Sequence, residues 1–377
     1  MKIFRSGSAR LLGLSLAFVI CSPFLPAQNA SGQPNHSVKP FEWKTARPED
    51  HGLDPDILAE LTELIEKGEE YPRLHSLLII RNGSLVLEEY FNGWKADKLH
   101  TLQSVSKSFT SALVGIAIER GEFQGVDEKI LDFFPDMKDI ANMDDRKRSI
   151  RLRNLLTMRS GTDYNENGPD SPHHQLNRQP TGWDKFYLDR PMISDPGTNF
   201  LYDSGGVILM SAMLKNRTSM HADAYAKEYL FKPLDIKKNF WLRNREGHSH
   251  AGGGLGLTSR DMAKLGLLYL NKGLWEGEQI VPESWIRESF TMHVSFGNTD
   301  SDVVGYGYLW WILKPDPQGN GSQNIYAAMG FKAQYIFVIP EHNMVVAVNG
   351  DTRSSEDQRQ PRRFLYSHIL PAVNSER

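Results

Sequence analysis

The chain has 377 residues, 40% of them hydrophobic and 24% charged, which excludes the disordered, collagenous and coiled-coil classes. A formal charge of −3 lacks the basic excess of a nucleic-acid binder, so no nucleic-acid partner is expected. The single cysteine, Cys21, rules out an intrachain disulfide framework and a cysteine-rich zinc site.

Residues 1–27 read as a secretory signal peptide. Lys2, Arg5 and Arg10 form a positive head, Leu11 to Leu25 is mostly apolar, and Ala27 offers a small residue for cleavage. Pro23 and Pro26 interrupt an apolar stretch already short for a membrane span. Ile20 stands before Cys21 where a lipid-anchored protein needs a small residue, and an uncleaved N-terminal anchor is the alternative. Cleavage removes three basic and no acidic residues, moving the charge from −3 to −6, and also removes Cys21. A periplasmic or secreted protein follows, without disulfides, its length allowing a large core. Residues 28–41 are polar and turn-rich, a flexible leader. No second run of 18 apolar residues occurs, so the mature chain carries no expected membrane span.

Asp54-Pro55 opens a helix with an oxygen cap and a proline in the first turn, and Ile57, Leu58, Leu61, Leu64 and Ile65 share a face. Asn82-Gly83 between Leu74–Ile80 and Leu85–Phe91 predicts a hairpin. Ser104 to Arg120 predicts a helix apolar around most of its circumference, hence buried, stopped by Gly121. Residues 122–254 show helical patches and polar loops. Their basic run Arg146, Lys147, Arg148, Arg151 and Arg153 beside Asp144 and Asp145 reads as a solvated face. Thr258 caps a helix reaching Asn271 before Gly273. Tyr306 to Leu313 is β-prone, Tyr335–Ile339 and Met344–Val348 form a second hairpin, and Arg362 to Leu370 is a closing helix. The fold class is therefore α+β: strands from both ends of the chain in one antiparallel sheet flanked by helices, with an all-helical part inserted. The α/β part spans about 42–121 and 255–377, the helical part about 122–254.

The sharpest chemical feature is Ser104-Val105-Ser106-Lys107. Residues three apart on a helix share a face, so Ser104 and Lys107 project together. A serine hydroxyl is a poor nucleophile without a neighbouring base. A lysine at its ordinary ~10.4 is protonated at neutral pH, but burial and the positive end of a helix dipole both disfavour that charge. The helix start also offers the Ser104 N–H to an oxyanion. A serine cap followed by a snorkelling lysine is the purely structural alternative. The second feature is Pro196 to Gly206, a turn and short extended piece presenting Tyr202, followed by glycines. A phenol meeting a lysine ammonium can shuttle protons; a tyrosine packed on a loop is the alternative. His173-His174 and His248-Ser249-His250 lack a carboxylate pattern, so no metal is assigned. No cofactor is expected: there is no G-x-G-x-x-G and no P-loop. G-x-S-x-G is also absent, which disfavours the α/β-hydrolase fold. Trp310-Trp311 reads as core and site wall.

Ser104–Lys107 and Tyr202–Ser204 with their spacing resemble the serine β-lactamase-like family, in its class C and esterase branch. That family includes penicillin-binding proteins, D-aminopeptidases, family VIII esterases and 6-aminohexanoate-dimer hydrolase. Arg47 to Leu53, Leu155 to Gly161, Gly252 to Asp261 and Tyr306 to Trp311 also look like it, extending the similarity over roughly residues 42–370. The resemblance implies an α/β sandwich plus an all-helical part with the site between them. It makes Ser104 the acylated nucleophile, Lys107 its base and Tyr202 the proton relay. Two motifs depart from the family. Tyr-Asp-Ser replaces Tyr-x-Asn, so Ser204 stands for a substrate-holding amide. Tyr326 to Gln334 has no leading cation in place of Lys-Thr-Gly, although Met329, or Ala328, should still give the second oxyanion N–H. The missing cation removes the natural partner for a β-lactam or peptidoglycan carboxylate; Lys332 is a candidate substitute. The expected activity is an exported serine hydrolase of small-molecule esters or amides. A β-lactamase or D-Ala-D-Ala peptidase, and a catalytically silent binding module on the same fold, are the alternatives.

Overall fold

The computed structural model describes residues 40–297, 301–316 and 321–373. The signal peptide and all but the last two residues of the leader lie outside them. Phe41, the leader's last residue, is held: its N–H donates to Asp235 Oδ2 at 3.0 Å and its ring packs 4.6 Å from Trp275.

Asp54 caps α1 (Pro55–Lys67) as expected, its carboxylate accepting from the N–H groups of Asp56 and Ile57. The first hairpin is β1 (Leu74–Arg81) and β2 (Ser84–Tyr90). Its turn places Asn82 at φ 51° and Gly83 at φ 77°, the left-handed pair a two-residue loop demands. The short β3 (His100–Thr101) leads into a 3-10 turn, Gln103–Val105, and then α2 (Ser106–Glu119). The expected helix from Ser104 thus starts two residues later. Gln103 takes φ 50°, breaking the line of chain between β3 and the helix, and the first turn winds tightly.

The regular elements within residues 122–254 are helices joined by loops, with β4 (Asn239–Trp241) the one strand there. Their longest helix is α3 (Ser204–Thr218), capped by the Asp203 carboxylate on the Gly206 N–H. The basic run is only partly a solvated face. Arg146, Arg148 and Arg153 pair with Asp144, Asp145 and Asp127, but Lys147 is buried, its ammonium donating to the carbonyls of Ala141 and Leu188. Two carbonyls that need a donor make that burial tolerable.

β5 (Leu255–Leu257) pairs with both β3 and β4. Thr258 caps α4 (Ser259–Leu270), and β6 (Leu274–Trp275) and β7 (Glu278–Gln279) form a small hairpin. The remaining strands are β8 (Val294–Ser295), β9 (Val303–Tyr306), β10 (Trp311–Leu313), β11 (Ile325–Gly330), β12 (Gln334–Ile339) and β13 (Met344–Gly350). The β-prone Tyr306–Leu313 is split into β9 and β10 by a tight turn with Leu309 at φ 61°. The closing helix begins at Gln360 and runs to Ile369, its second half wound as a π-helix.

Eight strands form one sheet in the order β2-β1-β13-β12-β11-β10-β9-β8, every neighbouring pair antiparallel. Strands from the N-terminal and C-terminal parts of the described residues meet where β1 pairs with β13. These strands are apolar on both faces because both are covered. Leu78, Ile80, Ile336, Val338, Val345 and Ala347 belong to one core with α2 and α4. Their alternate neighbours Leu77, Ile79, Phe337, Val346 and Val348 belong to a second core with α1 and the closing helix. A Cβ on Gly266 of α4 would meet Val345 and Ile336 side chains at 2.6 and 2.7 Å; the missing side chain is what lets that helix lie against the sheet. No helix among the described residues is long and apolar enough to cross a membrane.

Candidate active site

Ser104 sits on the turn between β3 and α2. That turn is fixed from both sides: Leu102 N–H donates to Leu255 O at 2.8 Å, and Ser106 Oγ donates to Gln103 O at 2.6 Å. Gln103 at positive φ is a non-glycine residue in a costly conformation beside the candidate nucleophile.

Lys107 is only 1% exposed. Its Nζ lies 2.9 Å from Ser104 Oγ and donates to Gly252 O at 2.6 Å. It also stands 4.8 Å from the centroid of the Tyr202 ring. The ring is held in place by Trp311, stacked at 5.7 Å and 19°. So serine, lysine and tyrosine converge, but the amine faces the tyrosine's π surface, a cation–π geometry rather than the phenol–ammonium contact expected. Trp311 is the site wall, and its neighbour Trp310 is fully buried against Tyr269 at 4.6 Å.

The chain after Tyr202 is pinned by two carboxylates. Asp203, the cap of α3, accepts from Tyr187 OH at 2.5 Å, Gly206 N–H at 2.8 Å and Ser160 Oγ at 3.1 Å. Burial pushes its pKa up to about 6, against the pull of those three donors. Glu166 accepts the N–H of Ser204. The glycines after Ser204 allow close approach, as expected, of aromatic rings: a Cβ on Gly205 would meet Tyr164 and Tyr187 at 2.4 and 2.6 Å.

β11 passes the nucleophile on the sheet side. A Cβ on Gly330 would meet Leu102 O at 2.6 Å and Ser104 N at 3.1 Å, so Gly330 lies hard against the Ser104 amide. Met329 and Ser204 both line the cavity over Ser104, which measures about 1000 Å³. Lys332 does not reach it as a free cation. Its ammonium is bonded to Asp351 at 2.6 Å, and Asp351 also takes Arg73 at 2.7 Å; Lys332 first and Arg73 second hold the Asp351 carboxyl down to about 2. The cation missing from the head of β11 is not restored by Lys332.

One wall of the cavity is built from His250, Asn177 and His173; the two histidines stand out in the sequence only as metal candidates, and Asn177 leaves no signal there. His250 Nε2 donates to Asn177 Oδ1 at 2.9 Å, and Asn177 Nδ2 donates to His173 Nε2 at 3.1 Å. Burial lowers both imidazoles, His250 to about 4 with His173 and Lys107 pushing the same way. The paired-histidine motifs therefore split: His173 and His250 meet across the wall, while His248 turns to His221, 5.9 Å between rings. Among the described residues no group of three His, Cys, Asp or Glu is placed to hold a metal ion. Glu166 left no signal in the sequence, because it sits on a loop and reaches Ser204 across 38 residues.

The fold and this constellation define a hydrolase of the β-lactamase class. The β-lactamase family model matches residues 73–367, and the chain belongs to that family. Among curated proteins, the 6-aminohexanoate-dimer hydrolase of Paenarthrobacter ureafaciens is 23% identical over 309 residues, covering 77% of this chain and 76% of that protein. Among solved structures, EstCE1, a hydrolase with promiscuous acyltransferase activity, superposes with a TM-score of 0.70 at 17% identity, covering 85% of this chain and 99% of its own. A penicillin-binding protein from Bacillus halodurans gives 0.62 at 18% identity, covering 79% and 98%. At these identities the structural likeness speaks for the fold.

Proposed function

We propose that the protein is an exported serine hydrolase that cleaves small-molecule esters or amides through an acyl-enzyme on Ser104. The observation that carries this is the 2.9 Å approach of the buried Lys107 amine to Ser104 Oγ, with the Tyr202 ring over the same amine. Lys107 acts as the base that takes the Ser104 hydroxyl proton as Oγ bonds to the substrate carbonyl carbon. The oxyanion so formed lies between the Ser104 N–H, on the 3-10 turn before α2, and an amide at the end of β11, for which Met329 is our candidate. The bond to the leaving group breaks as that group receives a proton by way of Tyr202. Water then adds to the acyl carbon, its proton passing to the same pair; the acyl–Oγ bond breaks as that proton moves on to Ser104 Oγ, freeing the acid and restoring the serine. Ser204 holds the substrate's polar edge. No metal or cofactor is part of the scheme.

Ester or amide cleavage is preferred to β-lactam or D-Ala-D-Ala cleavage because Lys332 is committed to Asp351, leaving no cation at the head of β11 for a substrate carboxylate. Location in the periplasm or outside the cell rests on the charged head and apolar stretch of residues 1–27. A panel of p-nitrophenyl esters tests the proposal. Wild-type turnover abolished by Ser104→Ala supports it; equal rates with both proteins would make the chain a silent binding module.

A further inference from the structure

Only five large apolar side chains are exposed among the described residues, and two of them, Leu242 at 58% and Phe331 at 52%, line the Ser104 cavity. Exposed apolar side chains gathered at one concave site mark a surface that binds something apolar.

Neither residue is exposed through looseness. Leu242 has both backbone groups tied: its N–H donates to Gly254 O at 2.9 Å and its carbonyl accepts from His250 N–H at 2.7 Å. Gly254 lies directly beneath the side chain; a Cβ there would come 3.0 Å from Leu242 Cβ. Phe331 follows Gly330, the residue pressed against the Ser104 amide, and precedes two non-glycine residues in the left-handed region, Lys332 at φ 66° and Ala333 at φ 65°. That costly turn is bolted down. The Lys332 ammonium is bonded to Asp351, and Gln334 Nε2 donates to Lys332 O at 2.9 Å and Gly350 O at 2.7 Å. Asn349 in turn donates to Gln334 Oε1 at 2.8 Å. Strain maintained by surrounding bonds points to a function for the conformation it keeps. Here it keeps a phenyl ring in water at the edge of the cavity.

The geometry points to Leu242 and Phe331 as an apolar lip that selects esters or amides carrying a long alkyl chain. Ser104 acts on the carbonyl, and the chain lies against the two side chains, removing apolar surface on both sides of the contact from water. Met329 and Trp311, on the same cavity, offer further apolar surface. This inference rests on the hydrolase reading for its chemistry, but the chain's binding can be read without turnover.

The test uses Ser104→Ala, which holds an ester without cleaving it, and follows quenching of tryptophan fluorescence by p-nitrophenyl octanoate and p-nitrophenyl acetate. The octanoate should bind at least about tenfold tighter, the order expected for partial burial of a few methylenes. Adding Leu242→Ser and Phe331→Ser should bring the two esters within about twofold of each other, and Phe331→Trp should keep or widen the preference. Octyl acetate as competitor shows whether the acyl or the alkoxy side enters the lip. Equal binding of octanoate and acetate, or a preference that survives loss of both side chains, overturns the inference. Wild-type turnover of p-nitrophenyl acetate reports separately on the hydrolase reading: its absence would sink that reading while the binding preference stood.

Discussion

Replacing Lys107 by methionine removes the amine and keeps most of the volume. Lys107 is 1% exposed and makes two polar contacts, 2.9 Å to Ser104 Oγ and 2.6 Å to Gly252 O. The two effects of the change oppose each other in stability. Leaving the Gly252 carbonyl without its donor costs about 1–3 kcal/mol. Removing an amine from an apolar helix relieves a desolvation cost of similar size. No such balance holds for activity. A positioned general base contributes roughly 10²–10⁴-fold, about 3–5 kcal/mol of barrier at 1.36 kcal/mol per decade. The expected result is a fall of that size in kcat/KM for p-nitrophenyl acetate with an unfolding midpoint near or above that of the wild type. Activity within a few-fold of wild type in the folded variant would refute the role of Lys107.

Gly330→Ala should cost about tenfold or more in kcat/KM, because its Cβ would meet Leu102 O at 2.6 Å and Ser104 N at 3.1 Å and displace the nucleophile's turn. Esterase rates check this. Gly115→Ala drives a Cβ to 2.4 Å from the Trp285 ring and should destabilise by about 1–3 kcal/mol, read by denaturant unfolding. Asp203 is raised from 3.8 to about 6 by burial, so its contribution to stability is full below pH 3.8 and is lost as pH rises through 6. The loss amounts to about 3 kcal/mol, and the stability difference between wild type and Asp203→Asn should change by that order between pH 4 and 7. His250 runs the other way. Lowered to about 4, it favours the fold above pH 6.5 and loses that contribution as pH falls through 4, a segment of the stability curve that His250→Gln should flatten.

The local signals in the sequence transferred well to the structure. Asp54-Pro55, Asn82-Gly83 and Thr258 act through their own backbone neighbours, and each does what its chemistry dictates. Ser104 and Lys107 were legible for the same reason: three residues apart, they meet whether the first turn is α or, as found, 3-10. The hidden part is tertiary. Lys107 finds Gly252 across 145 residues, Glu166 finds Ser204 across 38, and His250 finds Asn177 across 73, none of which a pattern of types announces. Lys147 was misplaced, and Lys332 could not be placed, because their partners were invisible. Lys147 reads as one more surface charge until Ala141 O and Leu188 O close over it, and Lys332 reads as a free cation until Asp351 claims it. Tyr202 was placed at the site by its motif, but its ring-face approach to the amine depends on Trp311, 109 positions along the sequence.

The most direct measurement is incubation of the folded protein with a fluorophosphonate, followed by intact mass and peptide mapping. A single adduct on Ser104, lost in Ser104→Ala and strongly slowed in Lys107→Met, is the expected result. An unmodified Ser104 in a sample whose cavity is open and folded would contradict covalent catalysis at this residue.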